Sequence, residues 1–263
     1  MIRRRKKEQK NQVIHGDCLV EMQKIPDKSI NMILCDLPYG TTTCKWDTII
    51  PFEPLWEQYK RIIKDNGAIV LTASQPFTSA LVMSNVKMFR YSWVWRKDKS
   101  GNIAVLKYQP AKVHEDVLVF SILSHKYYPQ METRPEANKR NNKPRINKVG
   151  VQGNKPFYVE HSRGADDVKY PTSIKFFNVQ RNGVHPTQKP VAFFEYLIKT
   201  YTNKGDTVLD NCAGSGTTGI ACKNLDRNFI LIEKEKEYID IINKRLQFFK
   251  KTKVKKTEVA KYF

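Results

Sequence analysis

The chain has 263 residues, 40% of them apolar, enough to bury a sizeable core, and it reads as one α/β domain carrying an insertion rather than as two independent domains. A net charge of +20 makes a polyanion, above all nucleic acid, the expected partner. No apolar run approaches the ~20 residues that span a bilayer, and the basic arm Met1 to Lys10 has no apolar stretch behind it, so neither anchor nor signal peptide is expected and the cytosol is the expected compartment.

The five cysteines are scattered and lack CxxC spacing, which argues against a disulfide framework or a structural zinc. The five histidines are equally dispersed, and His114-Glu115 has no second histidine four residues on, so no metal is expected.

After the basic arm the first predicted element is a short strand, Gln12 to Ile14. His15-Gly16-Asp17-Cys18 then leads into a helical pattern with Leu19, Val20, Met22 and Ile25 on one face, ended by Pro26-Asp27-Lys28. The apolar run Ile30 to Leu34 reads as a buried strand that delivers Cys35-Asp36-Leu37-Pro38-Tyr39-Gly40 at a turn. Asp36 offers carboxylate acceptors, the peptide before Pro38 is pushed towards extended geometry that directs the Leu37 carbonyl, and Tyr39 adds a flat ring. Two acceptors beside a stacking plane suit a planar amine such as that of adenine or cytosine, while the plainer reading is an ordinary strand-end turn.

Thr41 to Trp46 follows as a polar loop, with Trp46 either lining a pocket mouth or anchoring packing. A second helix is expected through Leu55, Tyr59, Ile62 and Ile63, stopped by Gly67. A strand over Ala68 to Thr72, a helix over Pro76 to Val86 and an alternating strand over Tyr91 to Trp95 come next, with Trp93 and Trp95 in the core and Asp116 to Ile122 able to pair with that strand.

Between His125 and Val184 the periodicity fades, prolines recur and twelve Lys or Arg stand against five Asp or Glu. The densest part, Lys139 to Lys148, holds Lys139, Arg140, Lys143, Arg145 and Lys148 without an acid, interleaved with asparagines that can bond base edges or phosphates. A surface loop of no fixed structure is the alternative. Regular pattern returns with a helix carrying Phe193, Phe194, Leu197, Ile198 and Tyr201, then a strand over Thr207 to Leu209. Asp210-Asn211-Cys212-Ala213-Gly214-Ser215-Gly216-Thr217-Thr218 links that strand to a helix ending near Asn224. A strand over Asn228 to Ile232 ends at Glu233, and a helix over Lys236 to Phe249 leads into a basic tail.

A strand that feeds a Gly-x-Gly turn into a helix lets a ligand approach the backbone, and an acid ending the next strand can accept bonds from ribose hydroxyls. A nucleoside-bearing cofactor is therefore expected. NAD fits poorly because the third glycine of GxGxxG is out of register, and the lysine of a P-loop is missing. Asp17, Asp36, Asp210 and Glu233 each follow a predicted strand, so a parallel sheet would gather all four on one rim.

These motifs, in this order, resemble the S-adenosylmethionine-dependent amino-methyltransferases of DNA, in the permuted arrangement called the beta class. The resemblance spans nearly the whole chain: Gly16-Asp17-Cys18, Asp36-Leu37-Pro38-Tyr39, a variable segment, His185-Pro186-Thr187-Gln188-Lys189-Pro190 and the glycine turn. It implies a doubly wound, Rossmann-like α/β sheet of about seven strands with an inserted target-recognition segment. The expected divisions are 1–124 and 185–249 as two halves of one catalytic domain, 125–184 as the insertion and 250–263 as a basic tail.

The resemblance also implies roles. Asp17, with Cys18 beside it, would bind the cofactor's adenine and Glu233 its ribose, with the backbone of Ala213, Gly214, Ser215, Gly216 and Thr217 at its methionine portion and Asp210 also among the cofactor-binding residues. Thr187 and Lys189 would lie near the carboxylate. Asp36, also expected to border the cofactor, and the Leu37 carbonyl would hold the target amine, in a turn shaped by Pro38, and Tyr39 would stack on the extruded base. His185 is expected to bridge within the cofactor segment or to be structural. Cys212 is expected to be a small buried residue without nucleophilic duty.

Two positions depart from the family pattern: Leu37 stands where proline is commoner, and Asn211-Cys212 stands where many relatives carry Pro-Phe. By the same resemblance, an aspartate first in the tetrad implies the N6 amine of adenine in double-stranded DNA as the target. N4-cytosine methylation, a catalytically silent DNA-binding module and RNA methylation remain as alternatives. The same resemblance admits a homodimer and a cognate restriction endonuclease.

Overall fold

In a computed structural model that describes residues 11–42, 44, 47–135, 145–152, 155–161, 168–181 and 188–259, with backbone alone for 145–152, 155–161 and 248–259, the run Ile30–Asp36 forms strand β2 near the middle of an eight-stranded sheet. Every residue of β2 except Asp36 is buried, because helices cover both faces of the sheet. Met32 and Leu34 face one layer, Ile33 and Cys35 the other.

The parallel neighbours of β2 are β3 (Ile63–Ala73) on one side and β11 (Thr207–Asp210) on the other. Beyond β11 lie β12 (Asn228–Glu233) and then β1 (Gln12–His15), both parallel, with His15 level with Glu233. Beyond β3 the sheet turns antiparallel through β5 (His114–Phe120), which pairs with β4 (Phe89–Arg96), and ends on β10 (Ile174–Phe176), parallel to β4. The carboxyl ends of β1, β12, β11, β2 and β3 thus share one edge with the start of β5. Ligands of doubly wound sheets bind at such an edge.

Helices α1 (Cys18–Met22), α2 (Phe52–Ile62) and α3 (Phe77–Ser84) bury Met22, Leu55, Tyr59 and Leu81 against one face. Helices α4 (Val191–Tyr201), α5 (Thr217–Asn224) and α6 (Lys236–Val259) bury Phe193, Phe194, Leu197, Ile220 and Ile242 against the other. Residues 129–172 form a second compact unit, in which β6 (Glu132–Thr133) pairs with β9 (Val168–Lys169) and β7 (Arg145–Gln152) with β8 (Lys155–His161), both antiparallel. Among the described residues no helix is long and apolar enough to cross a membrane.

Several boundaries differ from the sequence reading. α2 stops at Ile62, where Ile63 turns extended and its N–H still reaches Tyr59 O, so Gly67 is not the stop signal but lies inside β3. A side chain there would sit 2.9 Å from Asn31 O of the adjoining strand, so the glycine serves close strand approach. The expected insertion contributes β10 to the main sheet, which therefore has eight strands, and α6 continues to Val259 through the stretch expected to be a tail.

Candidate active site

Asp36 ends β2 level with Thr72 of β3, and both of its oxygens are engaged. Oδ1 accepts from the hydroxyls of Tyr39, at 2.8 Å, and of Thr72. Oδ2 receives the ammonium of Lys189 at 2.6 Å. Leu37 is buried in the core, and both it and Pro38 line the cavity. Tyr39 stacks on Phe77 with ring centroids 5.2 Å apart and planes 25° apart, and Lys189 Nζ lies over its ring at 5.8 Å.

Lys189 itself is only 7% exposed. Burial works against its charge, but Asp36 and Glu115 outweigh burial and hold its proton more tightly than a free lysine would. Glu115, at the start of β5, stands 3.3 Å from Lys189 Nζ through Oε2 and 2.9 Å from Lys97 Nζ through Oε1. Burial raises the Glu115 carboxyl, and the two ammonium groups overcome this to leave it below the usual range. Oε2 is buried and makes no hydrogen bond, its closest cation being Lys189 at ion-pair distance.

The glycine turn lies on the neighbouring strands. Ala213 N donates to Ile232 O, Gly214 N donates to Glu233 Oε2 at 2.7 Å, and Glu235 N donates to the other Glu233 oxygen at 2.9 Å. Burial nevertheless raises the Glu233 carboxyl. Gly214 and Gly216 have φ of +50° and +78°, and a β-carbon on Gly216 would meet Ile242 at 2.9 Å, so this bend needs glycine both for its angle and for its packing on α6. Ser215 O and Oγ accept from Arg245, and the Thr217 hydroxyl donates to Lys189 O, tying the turn to the segment that carries the lysine.

Asp17 caps α1 by accepting from Leu19 N at 2.9 Å. Gly16 N donates to Glu233 O, which brings the two acids to adjacent strand ends. Asp210 is different: it is only 3% exposed, accepts from Cys212 N and the Thr218 hydroxyl, and burial pushes its carboxyl up to about 7. It fastens the strand to α5 and also lines the cavity. Cys212 lies within hydrogen-bonding reach of both Cys18 and Cys35 beside it, and burial pushes the Cys35 thiol up to about 12.

One cavity of about 750 Å³ joins these parts, lined by Asp17, Cys18, Ala213, Gly214, Ser215, Thr217 and Glu233 at one end and by Asp36, Tyr39, Lys97, Glu115 and Lys189 at the other. The Glu233 end offers carboxylate acceptors for ribose hydroxyls and an amine, beside a glycine turn whose Ala213, Gly214 and Gly216 N–H groups are bonded within the protein, and this lining fits a nucleoside carrying an amino acid. Lys189, expected near the cofactor's carboxylate, instead sets its ammonium on Asp36. Tyr39, expected to stack on a base, has Phe77 on its ring. Thr187, His185, Trp46, Lys139, Arg140 and Lys143 lie outside the described residues, as do the side chains of Arg145 and Lys148.

Thr72, Glu115, Lys97 and Phe77 escaped sequence reasoning. A signal for Thr72 exists, since it is a polar residue closing a buried strand beside Asp36. For Glu115 and Lys97 only the antiparallel pairing of β4 and β5 reveals the connection.

A family model described as DNA methylase matches residues 30–244. The Type II methyltransferase M.HpaI of Haemophilus parainfluenzae is 28% identical over 250 residues, covering 89% of this chain and 73% of its own. The DNA adenine methyltransferase YhdJ of Escherichia coli (strain K12) is 30% identical over 248 residues, covering 89% and 82%. Among solved structures, the M1.HpyAVI-SAM complex matches with a TM-score of 0.59 and 25% identity, covering 89% of this chain and 98% of that one.

Proposed function

We propose that this chain, which belongs to the DNA methylase family, is an S-adenosylmethionine-dependent DNA methyltransferase acting on the N6 amine of adenine. The observation that carries the reading is the shared cavity: the Asp36 carboxylate opens into the same space as the Gly214 turn. The adenine assignment is supported by the relative named a DNA adenine methyltransferase and by the aspartate that begins the tetrad.

Glu233 would hold the ribose of the cofactor, Asp17 its adenine amine, and the backbone from Ala213 to Thr217 its amino-acid portion. Bound there, S-adenosylmethionine supplies a sulfonium methyl open to in-line attack. The rest falls to Asp36 and its surroundings. An aromatic amine is a poor nucleophile because its lone pair is delocalised into the ring. Two acceptors, Asp36 and the Leu37 carbonyl, draw its hydrogens out of the ring plane and free the lone pair. Tyr39 and Thr72 fix the carboxylate before the amine arrives, so its orientation costs little at the moment of reaction.

The Lys189 ammonium, a nitrogen donor bonded to Asp36 Oδ2 over the Tyr39 ring, supports this reading as a stand-in for the proposed amine. A lasting cation there would oppose the positive charge that develops on the methylated nitrogen. The target amine therefore displaces Lys189, which turns fully to Glu115, already 3.3 Å away. As the nitrogen gains the methyl and the sulfur–methyl bond breaks to leave a neutral thioether, Asp36 offsets the new charge on the nitrogen until its proton passes to solvent. Because a paired base hides its amine in the duplex, the target nucleotide has to rotate into the cavity.

The unit at 129–172, together with the basic run Lys139, Arg140, Lys143, Arg145 and Lys148, belongs to this proposal as the target-recognition segment. So do a homodimer, a cognate endonuclease and a cytoplasmic site of action. The test is Asp36→Ala: transfer of labelled methyl groups to DNA is expected to fall by at least a thousandfold while cofactor affinity stays within threefold. Turnover close to that of the parent would remove Asp36 from the reaction.

A further inference from the structure

The loop between β4 and β5 carries an apolar surface that the core does not use. Ile103, Val105, Leu106 and Tyr108 are all exposed, Ile103 by 73% and Tyr108 by 81%. Single exposed apolar residues are ordinary, but four within six positions on one protruding loop are not. The loop is also built to a shape. Asn102 closes its neck by donating to Pro110 O at 2.9 Å and accepting from Lys112 N at 2.7 Å, while Gly101 N donates to Lys112 O and Lys97 N to Val113 O. A single turn at Ile103–Val105 stiffens the tip, where Tyr108 N and Gln109 N both donate to Val105 O. Such a network holds the apolar side chains out in water, a cost that a bound partner would offset.

Charge and position identify the partner. Lys99 and Lys107 are exposed on the same loop, Lys112 is half-buried at its neck, and the loop carries no acid between Lys99 and Val113. The neck residues Lys97, Gly101 and Lys112 line the cavity on the side that holds Asp36 and Glu115. The loop therefore rises from the wall of the compartment that the target base has to enter. An everted base leaves a gap in the stack, and an apolar or aromatic wedge that fills it offsets the cost of opening, while flanking lysines meet the phosphates.

Resting on the DNA-methylation reading, we infer that the loop from Lys99 to Lys112 is a wedge that enters duplex DNA at the target nucleotide, with Ile103, Leu106 and Tyr108 filling the vacated space and Lys99 and Lys107 holding the backbone on either side. Lys97 joins the foot of this wedge to Glu115, and through Glu115 to Lys189 and Asp36. Seating the wedge and freeing the carboxylate are thus adjacent events.

The test uses the full-length protein and a duplex containing its own methylated site, found by sequencing DNA the parent has modified. Failure of the parent to modify any DNA would refute the methyltransferase reading itself, whereas the wedge is judged on variants of an active parent. Leu106→Ala combined with Tyr108→Ala is expected to lower kcat/KM on the matched duplex at least tenfold. The same variant should stay within twofold of the parent when the target adenine faces an abasic site, where no pairing opposes eversion. With 2-aminopurine at the target position, the fluorescence rise on binding should also shrink. Because these side chains are exposed, the melting temperature should not change, and Ile103→Ala serves as a milder second variant. Equal losses on both duplexes, no loss on the matched one, or a changed oligomeric state in sedimentation, which would make the loop a protein-protein contact, would each overturn the inference.

Discussion

Replacing Asp210 by Asn tests the claim that this acid, buried at the cavity wall, keeps its proton up to neutral pH and acts as a clasp. The side chain is 3% exposed, its oxygens accept from Cys212 N and Thr218, and burial lifts its carboxyl from 3.8 to about 7. A rise of roughly 3 pH units corresponds to about 4 kcal/mol at 1.36 kcal/mol per unit. A raised pKa means that the protonated acid suits the folded state. Its contribution is complete below 3.8, where folded and unfolded chains both carry the proton, and is lost as pH rises through about 7. Asn is neutral at every pH and keeps an acceptor for Cys212 N, so the variant escapes this loss. Urea unfolding without cofactor, at intervals from pH 4.5 to 8, should show the variant gaining on the parent by about 1.4 kcal/mol per pH unit up to neutrality and by nothing further above it. A difference that stays flat across that range, or a parent that gains on the variant as pH rises, would refute the reasoning by showing that Asp210 is ionised in the folded chain.

Glu115→Gln removes the carboxylate that receives Lys189, so kcat on DNA should fall roughly ten- to a hundredfold with cofactor affinity unchanged in calorimetry; undiminished kcat would sink the displacement step. The same substitution breaks a buried ion pair and should cost roughly 3 kcal/mol near neutral pH. Since Lys189 and Lys97 hold the Glu115 carboxyl below 4.5 against the effect of burial, that cost should shrink only as pH falls below 4.5 and the parent's own carboxyl takes up its proton. Gly216→Ala asks a β-carbon to sit at φ +78° and 2.9 Å from Ile242, so stability should drop by roughly 2–4 kcal/mol and cofactor affinity at least tenfold. A melting temperature within one degree of the parent's would show that the bend yields more easily than its packing implies.

The features legible in the sequence were the ones encoded locally. Ile30 to Leu34 announces a buried strand by its unbroken apolar run, and Asp36-Leu37-Pro38-Tyr39 announces its turn. The glycines at 214 and 216 mark a bend that their positive φ angles require, and Asp17 and Glu233 reach one rim because Glu233 ends β12 and Asp17 follows β1, its parallel neighbour. What stayed hidden depends on partners distant in the chain. Lys189 reaches Asp36 across 153 positions, and no spacing rule links them. Glu115 looked like half of a metal motif beside His114, yet its role comes from β5 running antiparallel to β3, which brings its start to the cavity's edge. Gly67 misled because glycine stops helices and also permits close strands, and only the register of β2 on β3 decides between them. Ile174 to Phe176 is too short to stand out amid prolines and lysines, but β4 offers it a free edge.

The central claim is that the cavity joining Asp36 to the Gly214 turn moves a methyl group onto the exocyclic amine of adenine in DNA. The most direct measurement incubates the full-length protein with unmodified duplex DNA and methyl-labelled S-adenosylmethionine, digests the DNA to nucleosides and identifies the labelled one by chromatography and mass. The account predicts N6-methyldeoxyadenosine as the labelled product, absent with Asp36→Ala. Label in N4-methyldeoxycytidine, or no label in DNA from a protein that binds the cofactor, would contradict it.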